Sequence, residues 1–587
     1  MVDQKRLARN LSCLRKTHPS IYDCIQSASP LPFLDKDETA DERAAVLNDS
    51  FQTGADFLYW IGAQNIDALL SIAEPATSAN RGILVVEPSV DRLASALARH
   101  DVTALLRNGK IFWAVGEPVR ERIVQTWEHT LCCAADRPHF FLAAQNENNE
   151  RFHCLEHLSS WIQTEAACRK KNLIERLRNF TSRPPAPHPP KRIWTFDDFR
   201  GKARYSLIQH MLTRCLFYEL RRLGYEAEYT ILRDGHYYPP YYRLLKMALF
   251  EPDLIFLCNR GPAYDMALGA QTSRALKIPK VVWFADDPIY AEHLLLRHKT
   301  APDETYLIAD YEWSDPLLEN GARPPLYMPG AATRTRRGKK RGSRACDVVF
   351  VGQIRDQRSF FSNLPPPWRD YCECVVREKL RFPRKKVREA MACFPLPAPL
   401  PPDRMDELRR RVLWEANTRF RLNVIAAMAD CDLRIYGNED WLALLPPDVA
   451  ARCFRGVLRF KHLYEVYRSA RITLNIHSLQ SYTCLNVRDF DVPASGGFLL
   501  SDWLPRAQEV VSPGFVEHLP MNDSSTQEVF FYRTMPELKR LAAYFLENNE
   551  HRERCIERAR KRILAEHTYA RRAQRLHELF QSLPPIK

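Results

Sequence analysis

The chain has 587 residues, of which 45% are hydrophobic, 27% charged and 11% aromatic, and it carries a formal net charge of +14. That length exceeds one ordinary core and calls for roughly three or four domains, while the composition excludes collagen-like, mucin-like and wholly disordered classes. The N-terminus "MVDQKRLARNLSCLRKTHPS" has no apolar core of a secretory signal, and no apolar run approaches the roughly 18 residues that span a bilayer. A cytoplasmic protein without a transmembrane segment is expected. The 16 cysteines are scattered without a CxxC. Their closest groupings, Cys132-Cys133 and Cys372 with Cys374, lack zinc spacing, so reduced, mostly buried thiols are expected. The balance of 85 basic against 71 acidic residues implies an acidic partner, whether nucleic acid, an anionic surface or a phosphate-bearing substrate.

Residues 1–181 open with helical patterning and then alternate short apolar strands, "FLYWIG", "GILVVEP" and "GKIFWAVGE", with helices. This is the pattern of an N-terminal parallel α/β domain. "IGAQN" stands where a dinucleotide fold would place GxGxxG, and Glu87 ends the second strand, where such folds place a ribose-binding acid. A nucleotide site and a purely structural domain both remain open here. The stretch around "ILVVEPSVDRL" resembles the N-terminal domain of motility accessory factor proteins over about sixty residues.

The linker 182–190, "SRPPAPHPP", has five prolines in nine residues and cannot be a helix or a central strand. In 191–332, "RYSLIQHMLTRCLFYELRRLG" is an amphipathic helix closed by a glycine. "AEYTIL", "PDLIFLCNRG" and "PKVVWFADDP" read as strands. Ligands of open α/β sheets sit beyond the carboxyl ends of the strands, so Asn259, Arg260, Asp286 and Asp287 are placed to face a crevice. The same Asp286-Asp287-Pro288 is also good helix-cap and turn chemistry.

A second linker, 333–344, holds seven basic residues in twelve. It reads as a solvated linker or as a nucleic-acid arm, although no aromatic residue interleaves there for base stacking. The last segment, 345–587, gives the strand "CDVVFVGQ" and a Pro-rich charged excursion over 359–404. A helix over about 405–429, the strands "LRIYGN" and "RITLNIH" and an almost wholly helical C-terminus follow. "NVRDFDVPASGGFLLSDW" carries Asp489 and Asp491 in DxD spacing. On a helix two such residues point about 200° apart and cannot share one ion, so Asp489 is expected to face solvent.

The ordered set "VVWFADDP", "VVFVGQ", "IYGN", "ITLNIH", "LNVRDFDVPASGGFLLSD" and "EHTYARR" resembles the CgeB-like (spore maturation protein B) glycosyltransferases over about residues 191–587. These are similar to glycosyltransferase family 4 of GT-B fold. The resemblance implies two Rossmann-like lobes facing a cleft, with the acceptor lobe at 191–332 and the donor lobe at 345–587. It further implies a hexosyltransferase-like enzyme (EC 2.4) that moves a sugar from a nucleotide-sugar co-substrate, with retention, without a metal or other cofactor and without nucleic acid.

A departing diphosphate needs cations and convergent N–H donors. Gly352, Arg355 and Arg358 follow the first donor-lobe strand, the amides from Thr483 to Asn486 precede a short helix, and Arg488 lies within it. Asp491 stands where the family has a ribose-binding acid, usually Glu, and Thr483 stands where it commonly has a sugar-binding Glu. His477, a catalytic candidate that a structural role would also explain, and Asn475, a donor-side candidate, share one side of a strand at the same end, and Asp286 or Asp287 is the candidate acceptor-side base or orienter. His567, in "EHTY", reads as a packing residue within a C-terminal helix. The acceptor is open among glycan, protein and small molecule. The departures at Thr483 and Asp491 also admit a non-catalytic binding or scaffold protein on the same core.

Overall fold

The structure, a computed structural model, describes residues 4–26, 56–62, 66, 69–71, 73, 81–135, 138–142, 150–181, 188–198, 207–232, 236–239, 242–259, 278–288, 304–333, 345–483, 485–507 and 528–583. Arg260, most of the Pro-rich linker and nearly all of the basic linker lie outside them. The chain forms two compact units. One comprises Met1–Arg183, Phe196–Ala203 and Thr230–Glu251, and the other comprises Pro184–Thr195, Arg204–Tyr229 and Pro252–Lys587.

In the first unit, β1 (Phe57–Ile61), β2 (Gly82–Glu87), β3 (Ile111–Val115) and β4 (Pro138–Leu142) form a sheet in the order β3-β2-β1-β4, with every pairing parallel. The central strands β1 and β2 are buried at every position, which is why they read as continuous apolar runs rather than alternating ones. Glu87 is buried at the end of β2, and its carboxylate accepts from the Ser89 amide at 2.9 Å, just before the helix Val90–Arg99. β4 and the 32-residue helix Glu150–Thr181 carry no signal recognised in the sequence.

The second unit contains the cores of two further sheets. β5 (Arg192–Asp198), β6 (Glu226–Leu232), β7 (Leu254–Cys258), β8 (Lys280–Phe284), β9 (Glu304–Ile308) and β10 (Leu326–Tyr327) are ordered β10-β9-β8-β7-β5-β6. β11 (Cys346–Val351), β12 (Leu433–Tyr436), β13 (Ala470–Asn475), β14 (Leu499–Asp502) and β15 (Phe530–Tyr532) are ordered β12-β11-β13-β14-β15, all parallel. This α/β architecture, with Rossmann-like parallel sheets and an additional N-terminal α/β sheet, is the GT-B class expected from the sequence. The last helix, Tyr569–Ser582, returns to the first of these two sheets. Its Tyr569, Ala573, Leu576 and Phe580 join Leu212, Leu216, Phe256 and Trp283 in one core. Among the described residues, no helix is long and apolar enough to cross a membrane.

The Pro-rich excursion after β11 is largely helical, with helices at Arg358–Ser362, Pro366–Arg381 and Val387–Ala392 before the long helix Pro402–Ala427. Its prolines sit mainly at helix starts, as Pro366 and Pro402 do. There the missing N–H has no intrahelical partner to lose, so proline acts as a helix initiator.

β11 and β12 approach closely at their carboxyl ends. Gly352 donates its amide to the Tyr436 carbonyl at 2.9 Å and accepts from the Trp441 indole at 2.9 Å. A Cβ on Gly437 would lie 2.3 Å from the Gly352 oxygen and 2.5 Å from the Trp441 indole nitrogen. Gly437→Ala is expected to destabilise the protein by about 1–3 kcal/mol, the usual range for overpacking. Denaturant unfolding of the full chain checks this, with Gly456→Ala as a comparison, because nothing lies within 4 Å of a Cβ there but its φ is +80°.

Candidate functional site

The carboxyl end of β13 holds a buried polar knot. Asn475 and His477 follow one another at strand spacing and point the same way, with the Asn475 amide nitrogen 3.4 Å from His477 Nε2. All four hydrogen-bonding positions of the Asn475 side chain are filled. Its nitrogen donates to Asp489 Oδ1 at 2.9 Å and Ser501 Oγ at 3.1 Å, and its oxygen accepts from Asn486 at 2.9 Å and Arg488 Nε at 2.7 Å. His477 lies between two carboxylates, 2.7 Å from Asp489 through Nε2 and 2.7 Å from Asp502 through Nδ1. Arg384 closes the chain by pairing with Asp502.

Burial alone would favour the neutral imidazole, but Asp489 and Asp502 outweigh it and hold the His477 pKa up to about 9. The same imidazolium, with Arg384, holds Asp502 well below the ordinary carboxylate range against the opposing effect of burial. Asp489 is therefore not on the solvent side as the helix pattern suggested. It is fully buried, and it also accepts from the Asn486 amide at 2.8 Å. Asn486 and Asp489 form a capping box at the start of the helix Val487–Ser495. The box turns Asp489 inward toward the strand end. The helix ends at Gly496, which takes the left-handed conformation with φ 83°.

Arg488 has Asn475, the Val351 carbonyl at 3.1 Å and the Ile476 carbonyl at 3.0 Å as partners. It ties the ends of β11 and β13 to the helix. Asp491 points elsewhere. Its buried carboxylate accepts from the Thr333 amide at 2.7 Å, the Thr333 hydroxyl at 3.0 Å and the Tyr464 hydroxyl at 2.7 Å. The two DxD acids thus serve separate sets of partners, as helix geometry requires. Asp491's contacts join the segment leaving the six-stranded sheet to the helix.

The loop after β13 meets the strand ends of the six-stranded sheet. Gln480 donates to Asp286 Oδ1 at 3.1 Å. Asp286 is held in turn by the Asn259 side-chain nitrogen, 2.8 Å from its other oxygen, while Asn259 Oδ1 accepts from the Ala285 and Asp286 amides. Asn259 takes φ 49°, a left-handed conformation that Asn tolerates better than most residues. Asp287 is buried, with its carboxylate 3.5 Å from the Tyr482 hydroxyl.

Asp310, just past β9, accepts the Tyr482 amide at 2.7 Å and the Thr483 amide at 2.8 Å, and it bonds the Thr483 hydroxyl. The Asp310 site was not recognised in the sequence. Its signal was present, because "TYLIAD" repeats the apolar-run-then-acid pattern of "VVWFAD".

The three phosphate-side residues after β11 fall in different surroundings. Gly352 is a backbone crossing point. The Arg355 guanidinium stacks 3.7 Å from the Trp414 ring centroid. Arg358 is exposed and pairs with Asp356, with Nη2 at 2.6 Å. Arg488, like Arg384, reaches the β13 knot, and Arg384 and Lys379 hold the loop carbonyls of Ser481 and Leu479 at 3.0 and 3.3 Å. Burial, reinforced by nearby Arg384, brings the Lys379 pKa down to about 7. His567 caps the helix Asn549–Glu566 rather than lying within a helix. It packs against Phe490, with ring centroids 5.6 Å apart, and its carbonyl accepts from the Ala332 amide.

A family model described as glycosyl transferase-like matches residues 410–578. That span contains His477, Thr483, Asn486, Arg488, Asp489, Asp491 and Asp502. No curated protein matches the chain. Among solved structures, Anabaena HepE in complex with UDP-glucose is similar at 12% identity and a TM-score of 0.38, over 67% of this chain and 100% of that one. The catalytic domain of starch synthase IV from Arabidopsis thaliana, bound to ADP and acarbose, is similar at 9% identity and a TM-score of 0.38, over 67% and 98%. The MAf glycosyltransferase from Magnetospirillum magneticum is similar at 12% identity and a TM-score of 0.23, over 48% and 54%.

The His477 contacts generate a pH signature. A folded-state pKa of about 9 lies above the unfolded value of roughly 6.5. The contribution of His477 is therefore fully present below about pH 6.5 and lost as pH rises through about 9. Unfolding free energies measured across that window should fall with pH in the native chain, and the slope should flatten in His477→Gln. Removing one partner of a buried ion pair typically costs about 3–5 kcal/mol, so His477→Ala should lose that much near pH 6.5.

Proposed function

We propose that the chain is a glycosyltransferase that transfers a hexosyl group from a nucleotide-sugar donor to an acceptor, with retention and without a metal ion. One observation carries the reading. The carboxyl ends of two parallel sheets meet where Gln480, in the loop after β13, reaches Asp286, at the end of β8. Strand ends are where α/β sheets bind ligands, and the β13 side of this junction lies within the glycosyl transferase-like match.

The chemistry follows from the charges gathered there. As the glycosidic bond to the diphosphate breaks, negative charge grows on the leaving phosphate, and fixed cations and N–H donors favour that state. Arg488, Arg384 and Lys379 lie around the loop. The charge of the two arginines supports a metal-free route, with Lys379 adding to it only below about pH 7, and the separation of Asp489 from Asp491 argues against a DxD metal grip. In a retaining transfer on one face, the leaving phosphate takes the acceptor's proton, so no strong protein base is required. In this reading Asp286, braced by Asn259, orients the acceptor hydroxyl, and Asp287 lies one residue further on. Asp491 has its oxygens committed to Thr333 and Tyr464, which favours a joint between the segments over a ribose clasp.

A second reading, a non-catalytic binding protein on the same core, is favoured by one specific contact. The Tyr482 and Thr483 amides are already occupied by Asp310. Thermal unfolding with a panel of UDP-, GDP-, ADP- and CDP-sugars separates the two. A donor at a hundred times its Kd stabilises the native state by about 2.7 kcal/mol, and its sugar should turn over. Binding without any transfer or hydrolysis favours the second reading, and no stabilisation by any donor removes the first. Replacing both Asp286 and Asp287 by Asn should lower kcat by about 10²-fold, the usual cost of a misplaced reacting group, and leave donor affinity nearly unchanged. Addition of EDTA should leave the rate of the native protein unaltered.

A further inference from the structure

We propose that the consecutive amides of Tyr482 and Thr483 are a cradle for the donor's diphosphate, and that the Asp310 carboxylate fills this cradle in the resting protein as a built-in plug. The inference rests on the functional reading above and deepens it.

Two successive main-chain N–H groups converge on one acceptor, Asp310 Oδ2, at 2.7 and 2.8 Å, and the Thr483 hydroxyl reaches the other oxygen. Consecutive amides that converge on one anionic oxygen make an anion-binding concavity. A phosphate oxygen offers the same acceptor chemistry as the carboxylate that now occupies it. Both anions cannot take the same N–H groups, and two negative charges a few ångströms apart in a buried place repel each other strongly. Diphosphate can therefore enter only as Asp310 leaves. Arg384 and Lys379 grip the loop through its carbonyls. They belong to the five-stranded-sheet side and stay with the cradle when Asp310 withdraws.

The residues after Asp310 show what holds the plug in. Lys386 bridges Glu312 at 2.9 Å and Asp315 at 2.7 Å, and Arg388 pairs with Glu319 at 3.0 Å. The Trp313 indole donates to the Gln480 carbonyl at 3.0 Å. Segment 310–319 is thus fastened by charge to 386–388 of the excursion after β11. The acidic partners of these pairs are about half exposed, so salt weakens the fastening.

The test uses the full chain, with UDP and inorganic pyrophosphate as separate probes and amide hydrogen exchange over 478–486 without ligand. Asp310→Asn keeps the side-chain shape and removes the charge. It should bind both probes about 10-fold more tightly than the native chain, and the Tyr482 and Thr483 amides should exchange faster. The pair Lys386→Glu with Arg388→Glu should shift both readouts the same way, and adding Asp315→Lys with Glu319→Lys should restore them. Tighter pyrophosphate binding without binding of any nucleotide sugar would keep the cradle and remove the glycosyltransferase reading. If Asp310→Asn binds neither probe more tightly than the native chain, the plug is overturned, whatever the exchange rates do.

Discussion

An imidazolium enclosed between two carboxylates, with no access to water, is the constraint around which the five-stranded sheet is organised. His477 cannot be charged there without Asp489 and Asp502, and Asp502 is held ionised against burial by that imidazolium together with Arg384. Each member therefore requires the others. The consequence is positional. Asp489 belongs to the helix Val487–Ser495 and Asp502 to the end of β14, so the triad locks a strand end, the following helix and the neighbouring strand into one register. A buried ion network is not in itself strong support for high stability, because desolvation offsets much of the attraction. Removal of one member is costly, and alternative packings of the helix would strand a charge.

The loop between β13 and that helix inherits its shape from this lock. One end leaves the strand at His477, and the other is fixed by the Asn486–Asp489 capping box. Between them, the side chain of Gln480 and the amides of Tyr482 and Thr483 are drawn toward acids at the ends of β8 and β9. The loop is therefore one place where the two sheets of the second unit influence one another, beside the Thr333–Asp491 contact and the ion pairs of Lys386 and Arg388. A change in one sheet is transmitted through a few short hydrogen bonds rather than a broad apolar surface. The small apolar contact there, formed by Ala309, Trp313 and Tyr482, reinforces the polar links.

Most strands were legible because parallel strands buried on both faces appear as uninterrupted runs of Val, Ile, Leu and Phe. "GILVVE", "CDVVFV" and "ARITLN" are of this kind. β9 was passed over although "ETYLI" has the same character, and with it went Asp310. β15 is three residues long, too short for periodicity to register. The excursion after β11 was given no elements from the sequence, whereas Pro366 and Pro402 begin helices. At the site, strand alternation paired Asn475 with His477, and helix geometry separated Asp489 from Asp491. Neither rule says which side of a helix faces inward. The motif Asn486-x-x-Asp489 carried that information as a capping box. Contacts such as Asp310 with Thr483 or Thr333 with Asp491 join residues far apart in the chain, and no local pattern encodes them.

The return of the final helix to the six-stranded sheet bears on how the chain is made. Leu212, Leu216 and Phe256 are synthesised early, but Tyr569, Ala573, Leu576 and Phe580, which complete their core, emerge from the ribosome only after the whole five-stranded sheet. Throughout synthesis of the five-stranded sheet, the earlier sheet must wait with one apolar flank uncovered. Burial of that flank arrives only after the five-stranded sheet has been made, so the order of translation and the order of core completion run in opposite directions for this half of the molecule. Such a flank is the natural place for a chaperone to hold a nascent chain, since exposed apolar surface on a partly folded domain drives aggregation.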